Sequence, residues 1–338
     1  MTTREDWDKL APILFHYDLY PQQMERKGRV FKIYSQQGTF ALKESVMLWE
    51  EAQTFSHHIR RLARLQYQSV IPIIPTKYGE LTLSTEQHTY YLMPWIENEQ
   101  YKERESRELK IMNQMGIIHH LTSKSQTYEQ DAMEESYQTL VKRWELRRLE
   151  LERFIDLAEQ KVYMSPFELT FMTHAHQLLL MMDEAKRCAG KWFDGVKEKE
   201  KYRTVLCHGK LSRKHVHFTA YGEPLLFNFE RATLDTPARD LALFCRHSFA
   251  YALWNDNELK HWLATYEAHL PLFEEEKQLL LGYLHFPEPV LFSIDTYMNN
   301  RSSLSELNHV RRLEKRLFTM RKVHQLKTVL YPPEVKQT

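Results

Sequence analysis

The residues best placed to do chemistry lie between positions 203 and 242. A loop reading Cys207-His208-Gly209-Lys210-Leu211-Ser212-Arg213-Lys214-His215-Val216 is followed by Leu226-Phe227-Asn228-Phe229-Glu230 and by Asp235-Thr236-Pro237-Ala238-Arg239-Asp240-Leu241. Cys207 beside His208 raises nucleophilic catalysis, but sequence neighbours rarely aim at each other and no further Cys–His arrangement follows. The pairs His57/His58, His119/His120, His174/His176 and His215/His217 raise metal binding. Zinc needs three or four ligands converging at about 2.0–2.3 Å. These pairs lie on distant segments without a Cys pair to assist, so structural histidines are the better reading. Phosphoryl transfer is the third chemistry. It needs a lysine on the phosphates, a carboxylate for the nucleophile's proton and oxygen ligands for magnesium.

Two regimes of pattern position these residues. Up to about residue 96 the chain is strand-like with one helical interruption. Residues 30–34 alternate, Gln36-Gln37-Gly38 supplies a turn and 39–43 resume the extended pattern, which predicts a hairpin. Val46, Leu48, Trp49, Phe55, Ile59 and Leu62, with pairs three and four apart among them, predict a helix over 45–65 with one apolar face. Residues 70–75, 81–83 and 89–93 read as further strands, giving a five-stranded antiparallel sheet with one long helix. Residues 97–106 are charged and read as a linker or helix start. Helical periodicity then covers 107–122, 131–160, 166–191, 238–253, 256–269, 272–284 and 303–328, broken by extended pieces over 203–232. The fold class is α+β, with a small β unit over 1–96 and a larger, mostly helical unit over 97–338.

A sheet lobe, a hinge and a helical lobe with a small β insert is the plan of a bilobal kinase-like fold, and its landmarks occur in order. Ala41-Leu42-Lys43 sits where such folds place the lysine that meets a nucleotide's α and β phosphates, with Glu50 or Glu51 on the next helix able to orient it. Tyr91-Leu92-Met93-Pro94-Trp95-Ile96 resembles the hinge between lobes. Gly116-Ile117-Ile118-His119-His120-Leu121 resembles the "LG-x-x-H-x-x-S" helix end of aminoglycoside-phosphotransferase-like kinases. The 207–216 loop falls on their "HGD-L-H-P-G-N-V" catalytic loop, 226–230 on "I-D-F-D/E", and 235–242 on "GDP-A-Y-DLA". The resemblance covers about residues 20–300, and within the superfamily it is closest to the CotS-type, YsxE-like spore-coat proteins. It implies a nucleotide pocket at Lys43, Glu50, Glu51, Met93 and Glu230. It also implies structural roles for His208 and Gly209 in the loop turn and for Asp240 as a helix cap that ties the loop down.

Against that pattern all three catalytic positions are altered. The carboxylate position is Lys210, the oxygen-ligand Asn position is His215, and the metal-binding carboxylate is Asn228. Losing the base alone costs about 10²–10⁴ in rate. Losing the metal clamp removes the charge neutralisation on which phosphoryl transfer mostly rests. Glu230, two residues beyond Asn228 and therefore on the same face of a strand, is a nearby carboxylate able to rescue a metal site.

Composition bounds the rest. Of 338 residues 43% are hydrophobic and 27% charged, which excludes wholesale disorder. Lys plus Arg is 46 against 45 for Asp plus Glu, so the chain lacks the basic excess of a nucleic-acid or anionic-membrane binder. No run of about 18 apolar residues predicts a membrane span, and the N-terminus lacks a signal-peptide pattern. Cys188, Cys207 and Cys245 are odd in number and unpaired in pattern, which fits a reducing compartment. Residues 309–327 carry Arg311, Arg312, Lys315, Arg316, Arg321, Lys322 and Lys327 among Leu313, Leu317, Met320 and Val323. They read as an amphipathic helix with a basic face, either solvated or docked on an acidic partner surface.

The sequence therefore predicts a non-catalytic kinase-like protein that works by binding, with no cofactor. The CotS-type resemblance implies sporulation, synthesis in the mother-cell cytoplasm, location in the spore coat and other coat proteins as partners. The alternatives are an ATP- and magnesium-dependent small-molecule phosphotransferase using Glu230 or Asp235, and a nucleotide-binding switch without turnover.

Overall fold

In the computed structural model, residues 4–97, 107–249, 256–299 and 304–330 are described. The expected linker over 97–106 lies almost wholly outside them, as does the end of the helix expected over 238–253. The chain divides into two compact units, Met1–Gln114 with His208–Thr233, and Met115–Cys207 with Leu234–Thr338. A division of the sequence at residue 96 assigns 97–114 and 208–233 differently. Backbone pairing explains the second assignment: Ile71 N–H donates to Leu226 O and Leu226 N–H to Ser69 O, each at 2.9 Å.

The first unit opens with α1 (Arg4–Phe15), β1 (Pro21–Lys27), β2 (Val30–Ser35), β3 (Gly38–Ser45) and α2 (Trp49–Arg64), followed by β4 (Leu83–Ser84) and β5 (Thr89–Pro94). Its sheet is antiparallel, in the order β1-β2-β3-β5-β4. The hairpin turns at Gly38, whose φ of +132° lies in the region that favours glycine. Leu10, Ile13 and Leu14 of α1 pack on Met24, Phe31, Ile33, Leu42, Tyr90 and Leu92 of the sheet.

Five strands are present, but they are not the five expected. Residues 70–75 contribute only two isolated bridges, Val70 to Leu226 and Ile74 to Leu92. The fifth strand is β1, in which only Met24 is fully buried, so no apolar alternation marks it in the sequence. The apolar face of α2 is also narrower than its spacing suggests. Phe55, Ile59 and Leu62 are buried, whereas Val46, Leu48 and Trp49 stand exposed at the helix entry.

The second unit is mainly helical. The chain passes through α3 (Arg107–Thr122) into β6 (Lys124–Thr127), α4 (Gln130–Glu159), α5 (Pro166–Val196) and β7 (Lys201–Cys207). The short strands β8 (Val216–Phe218) and β9 (Pro224–Leu226) belong to the returning segment of the first unit. After β10 (Thr233–Asp235) come α6 (Pro237–Ser248), α7 (Asp256–Glu267), α8 (Glu274–His285), α9 (Glu288–Asn299) and α10 (Glu306–Leu330). Helix α5 starts at a capping box in which Ser165 Oγ accepts from Glu168 N–H and the Glu168 carboxylate accepts from Ser165 N–H. Helix α9 was not expected, because Pro287 and Pro289 interrupt the pattern; Pro289 sits in its first turn, where a missing N–H costs nothing. No described helix is long and apolar enough to cross a membrane.

Candidate functional site

Lys43 lies on β3 directly opposite Tyr91 of β5. Its Nζ donates to Asn228 Oδ1 at 3.0 Å and lies 3.2 Å from Glu230 Oε1. The same Glu230 oxygen accepts the Tyr91 hydroxyl at 2.9 Å. Tyr91 is buried against Phe55 of α2, at 5.1 Å between ring centres. Burial, and secondarily the Glu230 charge, push its phenol well above its ordinary pKa, so it stays a hydrogen-bond donor.

Local backbone makes this cluster possible. Asn228 adopts a left-handed conformation, with φ 68° and ψ 48°, which a short polar side chain tolerates. A single 3₁₀ turn, Phe229–Arg231, follows and carries Glu230 round to Lys43. The expected route, strand alternation from Asn228, is therefore corrected: the carboxylate arrives by a turn.

A second correction concerns Glu50 and Glu51. Neither orients Lys43 in this structure. Glu51 Oε2 accepts the Leu48 N–H at 2.8 Å, closing the first turn of α2, and Glu50 is exposed beside it. Met93 is buried opposite Ala41 as part of the sheet, which continues to Trp95 through its N–H bond to Thr39 O.

The loop after β7 is held by its histidines. Buried His208 bonds through Nε2 to Phe227 O at 2.9 Å and accepts the Lys210 N–H on Nδ1 at 3.3 Å. The two contacts define its tautomer. Gly209 has φ +75°, and a Cβ there would lie 2.2 Å from Arg231 O, so only glycine fits. His215 Nδ1 bonds to Lys210 O at 2.7 Å, and its ring lies 5.9 Å from that of His208. Burial above all, with Lys210, His208 and Lys43 nearby, lowers its pKa to about 4, so it is neutral at physiological pH. The Lys210 side chain is exposed.

Asp240 is fully buried, but it is not the cap of α6. Thr236 occupies that position and accepts from Ala238 N–H. Asp240 Oδ2 instead lies 3.4 Å from His119 Nε2, while His119 Nδ1 meets the Tyr266 hydroxyl at 2.9 Å. Cys207 joins this buried cluster, with ligand atoms of His119, Cys207 and Asp240 all within 4.8 Å of one another. The sequence reading missed that convergence, because three distant segments supply it. Chemically the cluster is a polar network. The thiol bonds to Thr236 O, and burial pushes it well above its ordinary pKa, away from the thiolate a metal needs.

Magnesium prefers oxygen ligands. At the expected metal positions stand the His215 ring, whose Nδ1 is taken by Lys210 O, and the Asn228 amide oxygen, which accepts from Lys43. The nearby carboxylate, Glu230, is held by Lys43 and Tyr91. This donor set does not fit a magnesium–phosphate clamp.

The fold is that of aminoglycoside-phosphotransferase-like, kinase-like proteins. An aminoglycoside phosphotransferase from Alicyclobacillus acidocaldarius is similar at a TM-score of 0.74 and 16% identity, over 93% of this chain and 94% of that one. A spectinomycin phosphotransferase in complex with ADP and spectinomycin is similar at 0.62 and 15%, over 94% and 98%. Among curated proteins, spore coat protein S of Bacillus subtilis strain 168 is 26% identical over 288 residues, 81% of this chain and 78% of that protein. The family described as "Spore coat putative kinase YutH" matches residues 11–328, and the chain belongs to it. The resemblance to CotS-type spore-coat proteins read from the motifs is borne out by these matches.

Proposed function

We propose that this protein is a non-catalytic, kinase-like component of the spore coat that acts by binding other coat proteins, made in the mother-cell cytoplasm. The observation that carries the reading is the engagement of Lys43 by Asn228 and Glu230 within its own chain. The lysine that would meet phosphates is already neutralised, and Lys210 adds positive charge where a base is needed. The YutH family match and the similarity to spore coat protein S support the coat context.

The test is a thermal-shift titration with ATP, with and without magnesium, beside Lys43→Ala, followed by a turnover assay. Absence of ATP hydrolysis or transfer is expected. Magnesium-dependent turnover lost in Lys43→Ala would overturn the reading. A second reading, a nucleotide-binding switch, draws on the same ion pair: phosphates competing for Lys43 would release Glu230 and Tyr91. It requires an ATP-induced shift without turnover.

A further inference from the structure

The second unit carries a cleft of about 540 Å³ between α6, α9 and α10, within the range of about 300–1,000 Å³ typical of ligand clefts. Its walls hold four permanent cations, Arg246, Arg312, Lys315 and Arg316, against one carboxylate, Glu288, which lies 3.5 Å from Arg143. Phe292 contributes an apolar patch and is 57% exposed.

Three other basic residues of helix α10 are engaged within the chain. Lys322 is buried and donates to Phe249 O, Arg321 meets His174, and Lys327 pairs with Glu184. Leu313, Leu317, Met320 and Val323 form its buried stripe. The cleft cations are arranged otherwise. Arg316 donates to Pro289 O at 2.9 Å and Ser293 Oγ at 2.7 Å, and its guanidinium lies over Phe292 at 4.9 Å. Arg246 donates to the carbonyls of Tyr283 and Phe286, but its Nε is sealed from solvent with no hydrogen-bond partner. Among the described residues, neither guanidinium forms an ion pair with a carboxylate. Burial lowers both pKa values, that of Arg246 to about 10, with Arg312 adding to the effect at Arg316. Two cations are thus held partly desolvated without a directly paired carboxylate, the Glu288 charge acting on Arg246 only as a secondary influence.

The spacing selects the occupant. Arg312 and Arg316 are four residues apart, about 6 Å along the helix axis at 1.5 Å per residue. Side chains on one face of an extended peptide repeat at about 6.6 Å. Cations distributed along a groove suit several carboxylates in a row better than one compact anion. We propose that this cleft docks an extended acidic segment of a partner protein, with carboxylates at alternate positions meeting Arg246, Arg312, Lys315 and Arg316 and an apolar neighbour covering Phe292. The site is separate from the Lys43 cluster and does not depend on whether that cluster binds nucleotide.

The test is fluorescence anisotropy of the full chain with a fluorescein-labelled Gly-Glu-Leu-Glu-Leu-Glu-Gly peptide and its Gln counterpart. The acidic peptide is expected to bind and the Gln peptide to bind at least tenfold more weakly. The double variant Arg312→Glu, Lys315→Glu, both positions being exposed, is expected to weaken binding at least tenfold with an unchanged melting temperature. Added salt should weaken it further. Absent binding of the acidic peptide, equal binding of the two peptides, or undiminished binding to the double variant would overturn the proposal. So would displacement by inorganic phosphate beyond that by chloride at equal ionic strength, which would mark a small-anion site. None of these outcomes bears on ATP, so failure here is distinguishable from failure of the proposed function.

Discussion

The Lys43 ammonium and the Glu230 carboxylate stand 3.2 Å apart, each with less than a fifth of its side chain exposed. The pair ties the third strand of the sheet to the turn after Asn228, and Tyr91 completes it from the neighbouring strand. Lys43 is thereby engaged by side chains of its own unit.

Glu230→Gln removes the charge facing Lys43 and weakens the bond from Tyr91. A charge-assisted hydrogen bond contributes about 1.5–3 kcal/mol, and urea unfolding should show a loss in that range. Tyr91→Phe, which removes one hydrogen bond and keeps the ring against Phe55, should cost about 1 kcal/mol. Equal stability of Glu230→Gln and the parent would show that the ion pair has no structural role.

Restoring the family's oxygen ligands should restore magnesium-dependent nucleotide binding. In the triple variant Lys210→Asp, His215→Asn, Asn228→Asp, the left-handed position 228 still holds a residue that tolerates φ near 68°. The expected result is an ATP-induced thermal shift that requires magnesium and exceeds any in the parent. A triple variant that folds but gives no greater shift counts against reading these three positions as the lost site.

Gly209→Ala combines a φ of +75° with a Cβ 2.2 Å from Arg231 O. Strain at such a position costs about 1–3 kcal/mol before the clash is added. At Gly28, φ is +66° with nothing within 4 Å of a Cβ, so Gly28→Ala should show the strain alone. Urea midpoints should therefore fall clearly further for Gly209→Ala than for Gly28→Ala.

Stability should fall on acidification from about pH 6.5 to about pH 4. In the folded state His215 is lowered from 6.5 to about 4, and His58 behaves alike, both chiefly through burial. Within that window the unfolded chain binds more protons than the folded one, so stability rises with pH and is fully present above 6.5. His215→Asn removes one contributor. Its urea midpoint should vary less steeply with pH between 4 and 6.5 than the parent's, and an unchanged slope would refute the assignment.

The α+β class, the hairpin carrying Lys43 and most of the long helices were legible because apolar periodicity is strong there. Strand β1 was not, since it lies at the sheet edge with one fully buried residue, Met24. At the site, motif order located Lys43, Asn228 and Glu230, but pairing them required backbone detail. A left-handed residue followed by a 3₁₀ turn has no apolar period, and Tyr91 carries no mark distinguishing a hydrogen-bonding phenol from a core ring. Likewise Glu51, beside the first turn of α2, is spent on Leu48 N–H, a local use that competes with any long-range ion pair.

The first unit is assembled from Met1–Gln114 and His208–Thr233. During synthesis the amino-terminal sheet therefore emerges from the ribosome long before the segment bearing Leu226, Asn228 and Glu230. Until then Ser69 O and Ile71 N–H lack the Leu226 backbone, and Lys43 lacks both its partners. The nascent chain must carry these unpartnered groups beside an already complete five-stranded sheet through the translation of some ninety intervening residues, so the first unit closes only after they have been made.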